Sequence, residues 1–343
     1  MQDIRNTLDE GLAFYREQER LISARLAVLP KGRVKSKRIG ENVYHYLHYR
    51  QGGKTKSDYL GKGVPSGLRE LLEERARLEI ELRRIREGLR QLRAQPGADA
   101  DLREPIRSIL EKLTEEKLWE SGIEIVGTWC FLLYQKHLPM DKYPLKTEDL
   151  DFLVPLPYRG KTFDVSSYLR ALGFRQDFHA DGSMSFSGNL MKVEFLAPER
   201  GRGRRTAPFV REISVAPQAL RFVDILLAES MVLPVSRGIK ARVPAPSAFS
   251  LHKLIISTRA GRRAKRDKDI RQAIIAAKYV LSDASETKKL LKIWDSFPES
   301  WKRKVFSALR LAEDLVPLES GAISSLRKIL ADAVKKAASR KVK

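Results

Sequence analysis

The stretch that decides the fold lies near the middle of the chain, where residues 147–154 read Thr-Glu-Asp-Leu-Asp-Phe-Leu-Val. The alternation of acidic and apolar residues predicts a β-strand, whose successive side chains point to opposite faces of a sheet. Asp149 and Asp151 then share one face, with α-carbons about 6 to 7 Å apart. Two like charges side by side on a core strand repel each other, and a divalent cation such as Mg²⁺ relieves the repulsion. The alternative is a strand end with two solvated aspartates.

A third carboxylate follows on a later strand. Residues 192–196 read Lys-Val-Glu-Phe-Leu, so Glu194 points away from the face that the two neighbouring apolar residues occupy. If this strand lies beside the first, Glu194 joins Asp149 and Asp151. Three carboxylates can hold two Mg²⁺ ions, an arrangement that serves in-line displacement at phosphorus.

A glycine turn precedes these strands. A short apolar strand, residues 123–126, ends in Gly127-Thr128, and an apolar helix follows over residues 129–134. Glycine lets the backbone approach an anion, and the start of a helix offers free N–H groups and the positive end of its dipole. The pattern therefore favours a phosphate-binding turn, although many strand-to-helix turns contain glycine for steric reasons alone.

Taken together, these motifs resemble the DNA polymerase beta-type nucleotidyltransferase superfamily, and within it the minimal, toxin-like bacterial group. A downstream segment strengthens the resemblance, because it is similar to a helix of that group whose lysine approaches the nucleotide triphosphate. The resemblance spans roughly residues 105–275, with Thr128 where a second Gly or Ser is usual and Glu194 where Asp is usual. The residues that carry it are Gly127-Thr128, Asp149-x-Asp151, Glu194, Val243-Pro244-Ala245-Pro246, Phe249, Leu251-His252-Lys253-Leu254 and Lys268-Asp269. Asp269 itself is expected to pair with a nearby Arg or Lys.

The resemblance implies an enzyme that moves a nucleoside monophosphate from an NTP to a hydroxyl of RNA, tRNA among the candidates, or of a protein. Mg²⁺ or Mn²⁺ would be the cofactor, and a toxin–antitoxin or defence setting, with an antitoxin or regulatory partner, is implied as well. The implied catalytic residues and metal ligands are Asp149, Asp151 and Glu194; the implied nucleotide-binding residues are Gly127, Thr128 and Lys253. For the lysine, the alternative is a solvated position on an amphipathic helix.

The first 95 residues have a different character. Apolar residues spaced three and four apart predict two helices, residues 4–29 and 68–94, the second with a heptad in which Arg75 fills one apolar position. A narrow apolar stripe on each helix predicts that the two pair antiparallel as a coiled coil, either within one chain or between two copies of a homodimer.

Between these helices, residues 31–62 predict a three-stranded meander. This segment contains nine Lys or Arg residues but only two acids, Glu41 and Asp58, and tyrosines lie among the basic residues. Cations for phosphates and aromatic rings for bases are typical of a nucleic-acid surface. The alternative is that the tyrosines form the small sheet's own core, and we expect both: one face packed and the other basic. The candidate nucleic-acid-binding residues are Arg33, Lys35, Lys37, Arg38, Lys54 and Lys56.

Composition limits the function further. The 343 residues include 65 Lys and Arg against 43 Asp and Glu, a net charge of +22, which favours a polyanionic partner, with RNA preferred. The single cysteine, Cys130, excludes an internal disulfide. The apolar runs are too short for a membrane span and the N-terminus lacks the plan of a secretory signal, so a cytoplasmic protein without membrane contact is expected.

The predicted fold class is α+β: a nucleotidyltransferase-type mixed β-sheet with flanking helices. We expect an accessory module at residues 1–95, a catalytic core at 102–215 and a mostly helical C-terminal domain at 216–343 that completes the cleft. Two basic segments are loop candidates, residues 199–205 and the connection at residues 259–268. A second functional reading is a non-catalytic nucleotidyltransferase fold that binds DNA or RNA through the basic meander.

Overall fold

The computed structural model describes residues 16–93, 104–143, 149–188, 191–199, 206–236 and 238–341, with side chains throughout except at 88–93 and 337–341. The chain divides into two compact units, residues 2–98 and residues 99–343. Each unit has its own arrangement of helices and strands.

The N-terminal unit contains an antiparallel pair of helices, α1 (residues 16–28) and α2 (Leu68–Arg93). Two ion pairs fix the direction, because Arg25 meets Glu74 and Arg86 meets Glu19, each at 2.7 Å. The predicted antiparallel pairing is confirmed over these residues and occurs within one chain. The predicted helix start at residue 4 lies outside the described residues.

The contact between these helices follows the heptad only in part. Leu78 and Ile85 are buried, and the Arg75 guanidinium donates to the carbonyl oxygens of Leu26 and Leu29 at 2.7 and 3.0 Å. Arg75 therefore fills the apolar position as predicted, by satisfying the free carbonyls where α1 ends. Leu71 is instead 39% exposed, because the first turn of α2 lies beyond that end.

Three antiparallel strands join the helices in the order β1 (Arg33–Ile39), β2 (Asn42–Gln51) and β3 (Lys54–Gly61). The predicted meander is confirmed. The expectation that one of its faces is packed is wrong, since no residue of the three strands is buried and β2 is half-buried on both faces. A sheet of three short strands has too few apolar side chains to close a core of its own.

The second unit is built on a six-stranded mixed sheet in the order β4-β5-β8-β7-β6, with β9 also paired to β8. Strand β8 runs parallel to β5 and β9, and the other pairs are antiparallel. The elements are α3 (Ile106–Glu115), β4 (Glu124–Val126), α4 (Gly127–His137), β5 (Asp149–Leu153), α5 (Val165–Ala171), β6 (Arg175–Phe178), β7 (Met184–Ser187), β8 (Lys192–Pro198) and β9 (Gln218–Leu220).

The rest of this unit is a hairpin followed by helices. The strands β10 (Ser230–Ser236) and β11 (Ile239–Pro244) pair antiparallel, a hairpin that the sequence analysis did not anticipate. The predicted helical character of the C-terminal region is confirmed, and its helices are α6 (Pro246–Ser257), α7 (Arg266–Ser282), α8 (Ala284–Asp295), α9 (Glu299–Leu315) and α10 (Ser320–Lys341).

Two apolar clusters hold the unit together. One packs under the sheet, where Phe152 and Phe195 stack with ring centroids 5.4 Å apart. The other lies among α6 to α10 around Trp294, which is fully buried. In the described part of the chain, no helix combines the length and apolar character that crossing a bilayer needs.

Candidate active site

The three predicted acids come together because of strand register. Strands β5 and β8 are parallel neighbours, with Asp151 opposite Glu194 and Asp149 opposite Lys192. Side chains paired in this way lie on the same face of a sheet. The buried residues between them, Leu150 and Val193, point to the other face. The predicted proximity of the two strands is therefore confirmed, and all three acids line one cleft.

The charges in this cleft repel one another. The pKa of Asp151 is raised to about 7, first by burial and then by the negative charges of Glu194 and Asp149, whereas Lys253 and Lys265 act in the opposite direction. Glu194 accepts a hydrogen bond from Lys192 on its own strand. Asp151 is consequently the acid that gains most from a cation placed between it and Asp149.

The number of carboxylates available in the cleft limits how the expected metal ion could be bound. Among the residues that the structure describes, no three His, Cys, Asp or Glu side chains are grouped closely enough to hold a metal ion. Mg²⁺ commonly takes only one or two protein carboxylates and completes its shell with waters and substrate phosphates. Asp149 and Asp151, whose negative charges act on each other in the cleft, fit that smaller role, and Glu194 as a third ligand stays a prediction.

The glycine turn lies directly against Asp151. Gly127 has a φ of +69°, and a Cβ at this position would come within 2.2 Å of Asp151 Oδ2. Only glycine combines that backbone angle with that close approach. Helix α4 begins here, so its first free N–H groups lie beside the acids.

Lys268, to which the sequence analysis gave no role in the site, is the cation that reaches this turn. Its Nζ donates to Thr128 Oγ1 at 2.8 Å, from the first part of α7. Burial lowers the pKa of Lys268, as do the positive charges of Lys253 and Lys265. A partly buried ammonium beside a helix start is a ready partner for a phosphate.

Lys253 has another partner. Its Nζ lies 2.7 Å from Asp269 Oδ1, and the two side chains are 7% and 1% exposed. Arg262 also binds Asp269, at 2.9 Å. Burial raises the pKa of Asp269, but the charges of Lys253 and Arg262 outweigh burial and lower this pKa overall. The expected pairing of Asp269 with a basic residue is confirmed, while contact of Lys253 with a triphosphate stays a prediction.

A basic wall closes one side of the cleft, whose volume is about 860 Å³. The segment expected to be a connection at residues 259–268 instead forms a 3₁₀ helix, Ala260–Lys265, and the first turn of α7. Besides Lys253, the basic side chains that line the cleft from this segment and from elsewhere are Arg221, Arg259, Arg262, Lys265, Lys268 and Lys304. Most of the other basic loop, residues 200–205, lies outside the described residues.

Beyond the acids, the same face of the sheet becomes apolar. Leu196 follows Glu194 on β8 and pairs with Gln218 of β9, whose neighbour on that face is Leu220. These side chains lie open to the cleft at half-buried or exposed positions. Nearby His252 is buried, and burial lowers its pKa to about 3. The cleft therefore has a charged end and an apolar end with an amide beside it.

The six candidate nucleic-acid residues all lie on the meander but on two faces. Register places Arg33, Lys35 and Lys37 on one face with Tyr46. The other candidates, Arg38, Lys54 and Lys56, lie on the opposite face.

The cleft combines an acid pair on a sheet, a glycine-led helix start and a basic wall, an arrangement that is chemically suited to phosphate groups. The chain belongs to a nucleotidyltransferase family, whose model matches residues 104–297. Residues 13–70 match a second family, described as a domain of unknown function (DUF6788). No curated protein shows significant similarity.

Among solved structures, the chain is similar to an antigenic nucleotidyltransferase-like protein from Paracoccidioides brasiliensis. The identity is 17%, the match covers 64% of this chain and 91% of that chain, and the TM-score is 0.37.

Proposed function

We propose that this protein is a Mg²⁺-dependent nucleotidyltransferase that transfers a nucleoside monophosphate from an NTP to an RNA hydroxyl. The observation that carries the proposal is the placement of Asp149 and Asp151 beside the Gly127 turn, where the pKa of Asp151 is raised by burial and by its acidic neighbours. A divalent cation would stabilise the charged form of such a pair, and NTP phosphates bring one.

The acids have distinct proposed roles. Asp149 and Asp151 would hold Mg²⁺, and Mn²⁺ could replace it. The chemistry that the metal supplies is neutralisation of charge on the triphosphate and on the departing pyrophosphate. Glu194, the third proposed catalytic acid, lies opposite Asp151 and would accept the proton of the acceptor hydroxyl. That oxygen then bonds to the α-phosphorus, and the bond to pyrophosphate breaks.

Backbone N–H groups and a lysine side chain of the protein would bind the phosphates of the NTP. The free N–H groups at Gly127 and Thr128 would receive the β- and γ-phosphates. Lys268, 2.8 Å from Thr128 Oγ1, would add a charge-assisted hydrogen bond. Because Lys253 is engaged with Asp269, we propose that it supports this wall and meets the triphosphate only after that pair rearranges.

The apolar end of the cleft suits the nucleoside. A nucleobase has apolar faces and a polar edge, and Leu196 with Leu220 provides an apolar surface beside the Gln218 amide. An amide both donates and accepts hydrogen bonds, so Gln218 would contact the edge of the base. The cleft volume of about 860 Å³ is ample for an NTP.

The acceptor and the setting follow from charge and family. A net charge of +22 favours RNA over a protein acceptor, with tRNA among the candidates. We also propose membership of the toxin-like group within the DNA polymerase beta-type superfamily. That setting would include an antitoxin or regulatory protein as partner.

Labelled NTPs and total RNA test the proposal directly. Wild-type protein should label RNA, and Asp149→Asn with Asp151→Asn should lower labelling by at least about 100-fold, since several kcal/mol of charge stabilisation is lost. Asp295→Asn, at an exposed position outside the cleft, is the matched control and should keep activity. Wild-type labelling no better than that of the double variant would contradict the proposal and favour the non-catalytic nucleic-acid-binding fold.

A further inference from the structure

The register of the meander sorts its side chains into two unlike faces. We call one of them the tyrosine face, defined by Arg33, Lys35, Lys37, Tyr44, Tyr46 and Tyr59. Lys35, Tyr46 and Tyr59 are paired across the three strands, and Lys37 pairs with Tyr44. The opposite face carries Arg38, Lys54, Lys56 and Asp58.

The two faces differ in charge. The strand residues of the tyrosine face include no acid, and Arg50 of β2 adds a fourth cation to it. Arg33, Lys35, Lys37 and Arg50 are exposed, and within the described part of the chain none has an acidic partner. On the opposite face Asp58 offsets part of the charge and accepts a hydrogen bond from Tyr49, which raises the pKa of that phenol.

The aromatic rings form a partly exposed cluster, in which Tyr44 and Tyr46 are half-buried. Tyr59 lies 5.4 Å from Tyr46 and 6.1 Å from Tyr44 between ring centroids, with tilted planes. Tyr59 is 60% exposed. An exposed aromatic surface flanked by unpaired cations suits a ligand with flat apolar faces and regularly spaced negative charges, which is the chemistry of an unpaired nucleic-acid strand.

We propose that the tyrosine face binds single-stranded RNA, with bases on Tyr44, Tyr46 and Tyr59 and phosphates on the cations of β1. A duplex keeps its bases stacked on each other and so cannot use the rings. RNA is favoured over DNA because His48, Thr55 and Ser57 on the same face offer partners for 2′-hydroxyls. The choice of RNA rests on these side chains and on the proposed transfer function, whereas the face and its charges are independent of that function.

The site lies within residues 13–70, the domain of unknown function, and in a different unit from the cleft. Its occupation can therefore be measured without the transfer reaction. The experiment is fluorescence anisotropy of the full-length protein, without NTP or metal, on a labelled RNA strand of about 16 nucleotides. The same sequence as single-stranded DNA and as duplex RNA provides two comparisons.

Two triple variants remove equal charge from the two faces. Arg33→Ala, Lys35→Ala and Lys37→Ala should weaken RNA binding and lower the slope of log affinity against log salt by about 2, since each phosphate contact on a single strand contributes about 0.7. Arg38→Ala, Lys54→Ala and Lys56→Ala is the control and should leave that slope nearly unchanged. All six side chains are exposed, so thermal unfolding should show both variants folded.

A second pair of variants tests the role of the tyrosine rings. Tyr59→Ala should weaken binding by about 5- to 100-fold, the range for loss of one stacking partner, while Tyr49→Ala on the opposite face should not. Equal losses in the two triple variants, or tight binding of the duplex, would overturn the proposed face. Equal affinity for the DNA strand would overturn the assignment to RNA. A protein that binds RNA in this way yet transfers no nucleotide would refute the proposed function alone.

Discussion

Lys268 and Lys253 line the same cleft but have different hydrogen-bond partners, Thr128 and Asp269. Substitution of each lysine should therefore change a different quantity, either the KM for NTP or the stability of the fold. Lys268→Met removes the ammonium that lies 2.8 Å from Thr128 Oγ1. Because its proposed partner is a phosphate, we expect the KM for NTP to rise by about 10- to 100-fold, the value of a charge-assisted hydrogen bond. Stability should change little. An unchanged KM in steady-state labelling would remove Lys268 from the phosphate site.

For Lys253→Met we expect the main effect on the stability of the fold and not on the KM for NTP. The variant leaves Asp269, 1% exposed, with Arg262 as its remaining cation. Breaking one side of a buried ion pair is strongly destabilising, and with Arg262 retained we expect a loss of about 2 to 3 kcal/mol in the free energy of unfolding. Denaturant unfolding measures it. A fully stable variant with a raised KM would instead support direct contact between Lys253 and the triphosphate.

Glu124 predicts a pH dependence of stability. Its side chain is fully buried, with Arg242 Nε at 3.0 Å, and burial raises its pKa to about 7 from 4.5 despite that partner. Between these pH values the folded state binds more protons than the unfolded state, so its contribution to stability is present below pH 4.5 and is lost as pH rises through 7. The loss is up to about 3 kcal/mol.

Glu124→Gln removes the titrating group. The difference in unfolding free energy between wild type and variant should therefore change between pH 5 and pH 8, in favour of the variant at the higher pH. Urea titrations at several pH values measure this difference. Two curves that stay parallel across that range would show that Glu124 keeps an ordinary pKa.

Individual residues also show what a single sequence can predict. Strict alternation was enough to place Asp149 and Asp151 on one face, because strand geometry fixes it. That Glu194 joins them depends on the pairing of two strands far apart in the sequence. Lys268 could not be found in that way, since its contact with Thr128 joins residues 140 positions apart. Charge alone marked six basic residues of the meander, but only the register of the strands shows that they divide between two faces.

At the scale of elements, the start of α4 depends on one glycine. Gly127→Ala would add strain at a φ of +69° and a clash at 2.2 Å with Asp151 Oδ2. We expect destabilisation of about 1 to 3 kcal/mol and loss of RNA labelling, because Asp151 must move. Gly182→Ala is the control: its φ is +77° but nothing lies within 4 Å of the added Cβ. It should lose stability and keep activity; equal activity in both variants would contradict a role for the turn.

Elements with strong periodicity were predictable, and those that depend on tertiary contacts were not. The helices of the C-terminal region and the three meander strands follow apolar spacing and turn residues. The hairpin β10–β11 was missed, although Ile239, Ala241 and Val243 alternate after Gly238 and are all buried. Pro234 interrupts the apolar pattern of β10, so the signal is weaker than that of the flanking helices.

At the scale of the whole molecule, the candidate active-site cleft and the tyrosine face belong to different units of the chain. All residues that line the cleft belong to residues 99–343, and both apolar clusters of that unit are made from its own residues. The tyrosine face belongs to residues 2–98. This division predicts separable contributions of nucleotide binding and RNA binding.

A fragment of residues 99–343 should therefore fold cooperatively and bind NTP with an affinity close to that of the full chain. Its labelling of RNA should fall mainly through a raised KM for RNA, because the cations and tyrosines of the meander are gone while the acids remain. Thermal unfolding, NTP titration and labelling at several RNA concentrations separate these quantities. If the fragment binds NTP normally but its KM for RNA is that of the full chain, then the N-terminal unit has no part in holding the acceptor; if NTP binding is lost, the cleft depends on residues outside the unit that lines it.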